Sequence, residues 1–459
     1  MSSRDQLSWF QIVRLGLVQS ALGAVVVLTT STINRVMVVE LAVAATIPGA
    51  LVALHYAVQI LRPRLGHGSD SGGRRTPWII GGMAVLALGG VGSAAATALM
   101  ANHHYAGLAL AVLAFIAVGI GVGAVGIGVG AAGTSLLTLL AVQVAPERRA
   151  PAATILWTMM IASFVLTTVT AGHFLDPFSL PRLISVTASV ASLAFVVTVI
   201  ALASIERSPA QRPGIPNVAG TTQNQVRFSA ALATIWSEER TRRFTIFVFA
   251  SMLAYRAQDL ILEPFAGKVF GMTPGASTQL TGVQHGGVLG GMLLVALVGG
   301  SARGRRLISL RGWTLGGCHA SALALASLTA AAVVGPLWPL RVSVFLLGFA
   351  NGAFTIAAIG AMMSLAGEGR ERSEGMRMGL WGAAQALAFG AGGFLGTVAV
   401  DLGTWLLGSA SAAYAWVFAL DACLFLIAAQ AAAKVIRPDF NRAPVARGTA
   451  EYMLGGTPQ

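Results

Sequence analysis

The chain has 459 residues, of which 55% are hydrophobic and only 10% are charged. So few charges cannot solvate the surface of a globular protein of this length, which excludes an ordinary water-soluble fold. The formal net charge of +13 would suggest nucleic-acid binding in a soluble protein, so the positions of the basic residues decide its meaning.

Apolar segments of about 20 residues, enough to cross roughly 30 Å of hydrocarbon as a helix, recur along the whole sequence. The pattern predicts an all-α integral membrane protein with twelve transmembrane helices. The predicted spans are 12–33, 41–61, 77–100, 107–143, 152–172, 183–205, 244–262, 277–300, 313–334, 340–365, 379–400 and 411–433. The fourth exceeds one perpendicular crossing, so we expect it to tilt, bend or extend into the cytoplasm.

The basic residues are strongly biased to one side of these predicted spans. If the N-terminus is cytoplasmic, 25 of the 30 lysines and arginines fall in the cytoplasm. The five on the outward side are Arg35, Arg182, Arg256, Lys268 and Arg341. By the positive-inside rule this bias predicts cytoplasmic N- and C-termini, and it accounts for the net charge without a nucleic-acid partner.

A polar, proline-containing stretch divides the predicted helices six and six. It predicts an N-terminal half over 1–205, a cytoplasmic linker over 206–243, a C-terminal half over 244–433 and a cytoplasmic tail over 434–459. Features of the first half recur in the second. The pairs are Gly73-Arg74-Arg75 with Gly304-Arg305-Arg306, and His55 with His285, which precede those motifs by 18 and 19 residues. We therefore predict two pseudo-symmetric halves.

The loop LGHGSDSGGRR, starting at Leu65, combines glycines with charge between two apolar spans. A phosphate-binding P-loop would need a preceding strand and a GK[ST] ending, and neither is present. In spacing and position, the loop resembles the one between helices two and three of the major facilitator superfamily. This resemblance implies a conformational latch, in which the carboxylate pairs with arginines or caps the next helix. The latch residues are Gly66, Asp70, Gly73, Arg74 and Arg75.

Longer stretches carry a narrower resemblance. They are NRVMVVEL from Asn34, QDLILEPF from Gln258, NGAFTIAAIGAMM from Asn351 and MGLWGAAQALAFGAGGFLG from Met378. These stretches resemble the PucC/LhaA family of purple photosynthetic bacteria. Antenna-assembly members of that family carry a longer loop of the GHxSDxxxxxxxGWRR type, whereas this sequence has the short GHGSDSGGRR. The short loop is similar to a branch historically labelled a bacteriochlorophyll synthase chain.

The resemblance implies a non-enzymatic factor that delivers bacteriochlorophyll, its cargo, during assembly of light-harvesting complexes. The implied partners are the lipid bilayer, antenna polypeptides and bacteriochlorophyll synthase, and the implied location is the intracytoplasmic photosynthetic membrane, part of the bacterial inner membrane. One alternative is a proton-coupled transporter of an amphiphilic small molecule. That alternative expects titratable groups in spans four, five or ten, where none is found, and only Asp421 in a late span supports it. A second alternative is an accessory subunit of the synthase.

The carrier function predicts an axial ligand for the magnesium of the pigment, and neutral histidine is a suitable one. The histidines within predicted spans are His55, His285 and His319, and the first two correspond between the halves. Gln59, one turn after His55, and Gln284 are candidates to orient the ligand, and Trp157 and Trp381 to face a macrocycle. Each histidine can instead bond a neighbouring helix, and each tryptophan can face lipid or core. No metal site made by the protein alone is predicted.

Charged residues near the predicted outer ends of spans one and seven form a candidate ionic cluster. Its members are Arg35, Glu40, Arg256, Asp259 and Glu263. Arg256, Asp259 and Glu263 share one helix face by their i,i+3 and i,i+4 spacing. Ionisable residues at membrane depth indicate function, although a structural ion pair near the interface fits equally. Glycine runs in spans four and eleven indicate close helix packing, or room for a flat ring.

Overall fold

The computed structural model describes residues 8–58, 76–125, 146–203, 238–300, 308–367 and 374–436. Over these residues the chain forms no strand, one short 3-10 helix (Gly335–Leu337) and twelve long helices. In chain order they are α1 (Trp9–Glu40), α2 (Thr46–Val58), α3 (Thr76–Met100), α4 (His104–Val125), α5 (Pro146–Leu175), α6 (Leu180–Leu202), α7 (Glu239–Phe270), α8 (Pro274–Gly300), α9 (Leu310–Val334), α10 (Leu340–Gly367), α11 (Glu374–Leu407) and α12 (Ala410–Val435).

Within the described ranges, eleven of these helices contain apolar segments long enough to cross a bilayer. The exception is α2, which is apolar but has only 13 residues within the described ranges. Residues 59–75 lie outside those ranges. The chain is therefore a multi-pass α-helical membrane protein, as the sequence predicts. Serine side chains at Ser8, Ser179, Ser309 and Ser409 cap α1, α6, α9 and α12 by accepting a backbone N–H of the first turn, which fixes where those helices begin.

The helix contacts repeat between the two halves of the bundle. In the first half α1 packs on α5 and α6, α3 packs on α4 and α6, and α2 packs on α4. In the second half α7 packs on α11 and α12, α9 packs on α10 and α12, and α8 packs on α10. Each contact thus recurs six helices later, which confirms two pseudo-symmetric six-helix halves. The largest contacts between the halves are α5 with α8 and α2 with α11.

Two aspartates join the halves at one face of the bundle. Asp401 of α11 accepts the backbone N–H groups of Ala45 (3.1 Å) and Thr46 (2.7 Å) at the start of α2. Asp176, which follows α5, accepts the hydroxyl of Thr273 at 2.9 Å and the N–H of Gly275 at 3.3 Å, at the start of α8. Each carboxylate therefore caps a helix of the opposite half, where the unpaired N–H groups favour negative charge.

Glycines allow the closest helix approach in the second half, between α8 and α10. Gly287 and Gly291 lie on α8, and Gly348 and Gly352 lie on α10, so each helix presents two glycines four residues apart. A Cβ atom at Gly291 would overlap the carbonyl oxygen of Phe349, and one at Gly348 would overlap that of Gln284. Because small residues let helix backbones touch, these glycines set the position of α8 and of the polar residues it carries.

Replacing Gly291 by alanine should destabilise the bundle by about 1–3 kcal/mol, the range for overpacking a filled interior. Gly286→Ala on the same helix is the matched control, because a Cβ there meets nothing within 4 Å. Thermal unfolding of both variants in detergent measures the difference. Equal midpoints for the two variants would contradict the close α8–α10 contact.

Glycines of the predicted fourth and eleventh spans also pack closely where they are described. Gly121 faces the backbone of Leu86 on α3, and Gly392 and Gly396 face the carbonyl oxygens of Leu253 and Ala257 on α7. Close helix packing is thus confirmed at these positions. Residues 126–145 lie outside the described ranges, and so does the path of the long fourth segment beyond Val125. The predicted limits of the halves, linker and tail stay predictions.

Candidate functional site

A cavity lies between the two halves, with about 600 Å³ of empty space that includes space open to solvent. Its walls come from α1, α2 and α5 of the first half and from α7, α8 and α11 of the second. The side chains with useful chemistry are Arg256, Asp259, Gln284 and His285, together with the rings of Tyr56, Phe164 and Phe389. A ligand here would contact both halves at once.

Arg256 and Asp259 form an ion pair in the wall of the cavity. The Arg256 Nη1 donates to Asp259 Oδ2 at 2.6 Å, and the Gln284 Nε2 donates to the other oxygen, Oδ1, at 3.2 Å. The second guanidinium nitrogen of Arg256 donates to the hydroxyl of Tyr56 in the opposite half. The guanidinium also lies 4.7 Å from the ring centre of Phe389, which is cation–π distance.

His285 presents its ring to the same cavity from α8. Its Nδ1 lies 2.9 Å from the carbonyl oxygen of Thr281, and because a carbonyl only accepts, Nδ1 must carry the proton. In a neutral ring, Nε2 therefore keeps its lone pair and can accept a hydrogen bond or bind a metal ion. Phe164 meets the imidazole edge-to-face at 4.9 Å, which fixes the ring from the first half.

Glu263 lies beside the cavity in the contact of α7 with α1 and α8, and it is 1% exposed. The hydroxyls of Ser31 and Thr281 donate to its Oε1 at 2.6 and 2.5 Å, and both of these residues also line the cavity. Its Oε2 is buried and has no hydrogen-bond partner among the described residues. A carboxyl group thus lies at membrane depth, connected to the cavity through two hydroxyls.

The structure divides the predicted ionic cluster into separate groups. Arg35 is 1% exposed; it pairs with Glu40 and donates to the carbonyl oxygen of Met272 at 2.6 Å. The five-residue spacing of this pair follows a π-helical segment over Val36–Glu40. The position predicted for Arg256 and Asp259 was wrong: α7 runs through Pro264 to Phe270, so the pair lies near mid-helix. Glu263, Pro264 and Lys268 lower the local hydropathy, which made the predicted span end early.

The remaining predicted ligands lie apart from this cavity. His55 is 1% exposed and is not among the lining side chains; its backbone carbonyl faces Gly119 of α4. His319 is exposed and its Nδ1 bonds the Leu315 carbonyl at 2.7 Å. Trp157 packs in an apolar cluster between α5 and α8, and Trp381 is buried against Phe244.

Gln59 and the predicted latch residues Gly66, Asp70, Gly73, Arg74 and Arg75 lie outside the described residues. The sequence reasoning did not identify Tyr56, Phe164 and Phe389. Aromatic residues within apolar spans carry no signal that separates cavity from core, because hydropathy alone does not reveal which face meets the opposite half. A weak signal existed for Tyr56, one of five tyrosines in the chain and the immediate neighbour of His55.

Comparisons with solved structures identify the architecture. A D-xylose-proton symporter aligns with a TM-score of 0.66 at 15% identity, covering 95% of this chain and 99% of that one. The nucleoside transporter NupG aligns with a TM-score of 0.64 at 13% identity, covering 93% and 98%. At such identities the likeness shows the fold alone, and it confirms the major facilitator superfamily fold.

Sequence relatives identify the family. The Bacteriochlorophyll synthase 44.5 kDa chain of Rhodobacter capsulatus is 50% identical over 430 residues, covering 94% of this chain and 96% of that protein. Protein PucC of Cereibacter sphaeroides is 30% identical over 410 residues, covering 85% and 83%. The profile of the family described as PUCC protein matches residues 32–440. That match begins within α1 and extends beyond α12, so it spans both halves, and the chain belongs to the PucC family.

Proposed function

We propose that this protein is a non-enzymatic membrane carrier, which binds bacteriochlorophyll between its two halves and delivers it for assembly of light-harvesting complexes. The name of the 50% identical relative supports the pigment, and the transporter-type fold supports a carrier. The observation that carries the proposal is His285, whose Nδ1 is engaged by Thr281 while the ring lines the cavity. Antenna polypeptides and bacteriochlorophyll synthase are the proposed partners, in the intracytoplasmic membrane with both chain termini cytoplasmic.

The cavity residues offer what a magnesium tetrapyrrole requires. A neutral imidazole with its proton on Nδ1 can give the Nε2 lone pair to the central magnesium, and its bond to Thr281 orients the ring. Phe164 and Phe389 give apolar, aromatic surface from opposite halves for the flat macrocycle. We propose that the isoprenoid tail of the pigment remains outside this cavity.

The proposal predicts that the protein, purified in mild detergent from a pigment-producing host, carries bacteriochlorophyll in a fixed stoichiometry. An absorption spectrum of the monodisperse protein measures this directly. An unrelated membrane protein of the same fold, purified from the same host, is the control for pigment carried in detergent. A colourless protein would contradict stable pigment binding. If that colourless protein still co-purified with antenna or synthase chains, a role in assembly that does not involve stable pigment binding would remain.

A proton-coupled transporter of an amphiphilic molecule is the second candidate, and Glu263 is the observation that favours it. Coupling needs a buried carboxyl that can exchange a proton as the halves move, and Glu263 lies between α1, α7 and α8 beside the cavity. Asp421 of α12, the acid suggested by the sequence, is buried at 3% exposure but is not among the cavity-lining residues.

Replacing Glu263 by glutamine should abolish proton release upon pigment binding if coupling operates, because the amide cannot titrate. A weakly buffered detergent solution with a pH-indicator dye measures the released protons per bound pigment. Asp421→Asn is the matched control on α12, because it is likewise the isosteric amide of a buried acid. Equal proton release in the wild type and the Glu263 variant would remove the support for coupling.

A further inference from the structure

We propose that Asp259 is a specificity-determining residue that makes the cavity select an uncharged ligand. In terms of the proposed function, on which this inference rests, the cargo is the esterified pigment and not its free-acid precursor. The two molecules share the macrocycle and the magnesium, but the precursor carries a propionate carboxylate where the pigment carries an ester. The charge in the cavity wall therefore decides between them.

The charged groups that face the cavity form one pair of opposite sign. Among the described lining residues Arg256 is the single fixed cation and Asp259 the single acid, so the pair has no net charge. Both oxygens of Asp259 are occupied, one by Arg256 and the other by Gln284. The side chains of Arg256 and Asp259 are only 23% and 16% exposed, so water screens their interaction weakly.

Two of the five N–H donors of Arg256 are engaged with protein groups. One terminal nitrogen donates to Asp259 and the other to Tyr56, while the guanidinium stands over the rings of Phe389 and Tyr56, 4.7 and 5.3 Å from their centres. A carboxylate entering the cavity would displace Asp259 or share the single guanidinium with it, so that two anions would face one cation. Burying a second anion beside Asp259 is unfavourable because one cation cannot neutralise both, so the ester should bind in preference to the acid.

This selectivity places the protein after one class of reaction. The carboxylate must be esterified before the pigment enters, so the step that supplies the cargo is a prenyl or alkyl transfer onto that carboxylate. In that reaction the carboxylate oxygen forms the new C–O bond, and the leaving group of the activated alcohol departs with the electron pair of the broken bond. The cavity then accepts the neutral product of that step.

The experiment measures binding of three ligands to the protein in nanodiscs at neutral pH. They are bacteriochlorophyll, the analogue whose propionate carries a methyl ester in place of the isoprenoid tail, and the free acid. The methyl ester and the free acid differ essentially by one charge, so their affinity ratio isolates selectivity from the effect of the tail. We expect the wild type to prefer the methyl ester about tenfold or more, the scale of one charged hydrogen bond. Asp259→Asn should reverse the preference, because it leaves Arg256 free to pair with the acid.

Two further variants distinguish a change in selectivity from misfolding, because each predicts a defined ratio of the affinities for ester and acid. Arg256→Gln leaves Asp259 unpaired and should discriminate against the acid more strongly than the wild type does. The double variant Arg256→Gln/Asp259→Asn has no net charge and should restore the wild-type ratio. Equal or tighter binding of the acid by the wild type, or one unchanged ratio in all variants, would overturn the inference. Failure of all three ligands to bind the wild type would instead reject the proposed function and this inference with it.

Discussion

Replacement of His285 by alanine should remove most of the bacteriochlorophyll that co-purifies with the protein, whereas alanine at His55 should leave it bound. The two histidines occupy matching sequence positions, yet only His285 lines the cavity between the halves. Loss of an axial nitrogen ligand removes the interaction that fixes the magnesium. We expect at least a tenfold loss of affinity, about 1.4 kcal/mol or more.

The absorption ratio of pigment to protein in monodisperse fractions measures this difference. His319→Ala is a second control, since that side chain is exposed and does not line the cavity. If the His55 variant loses pigment and the His285 variant retains it, the ligand assignment fails although the carrier survives. Equal loss in both variants with normal unfolding temperatures would mean that each half contributes a ligand.

Replacing both Asp176 and Asp401 by alanine should open the face of the bundle where these residues cap α8 and α2. Each carboxylate satisfies backbone N–H groups across the boundary between halves, and losing such a cap costs about 0.5–2 kcal/mol. Two caps together should shift an equilibrium between closed and open forms about tenfold or more. The sequence pattern places this face on the side opposite the predicted Asp70 latch.

Thiol labelling measures the opening. Thr278 is fully buried and its hydroxyl lies 3.1 Å from that of Thr32 in the other half, so a cysteine at 278 reports separation of α1 and α8. Cys318 and Cys423 are first replaced by serine to give a background without native thiols. Asn at both cap positions is the matched control, because Asn also caps helices well. Faster labelling in the alanine variant alone supports the caps, and identical rates in all variants argue against a gate here.

The sequence determined the membrane class, the helices and the internal symmetry, because these depend on local composition and on spacing along the chain. Twelve apolar runs predict twelve helices whatever their arrangement in space. The repeat of histidine and Gly-Arg-Arg predicted two similar halves, and the helix contacts confirm that similarity. Motif stretches in both halves also indicated the family that the profile match establishes.

Only the tertiary structure decided which residues meet. His55 and His285 are equivalent in sequence, but the packing of Gly119 against His55 buries the first beside α4 while the second faces the cavity. Tyr56 and Arg256 are hydrogen-bonded although they are 200 residues apart in sequence, and so are Asp401 and Thr46, which are 355 residues apart. Hydropathy reports how polar a segment is and not which face meets the opposite half, so contacts between the halves follow from helix packing alone.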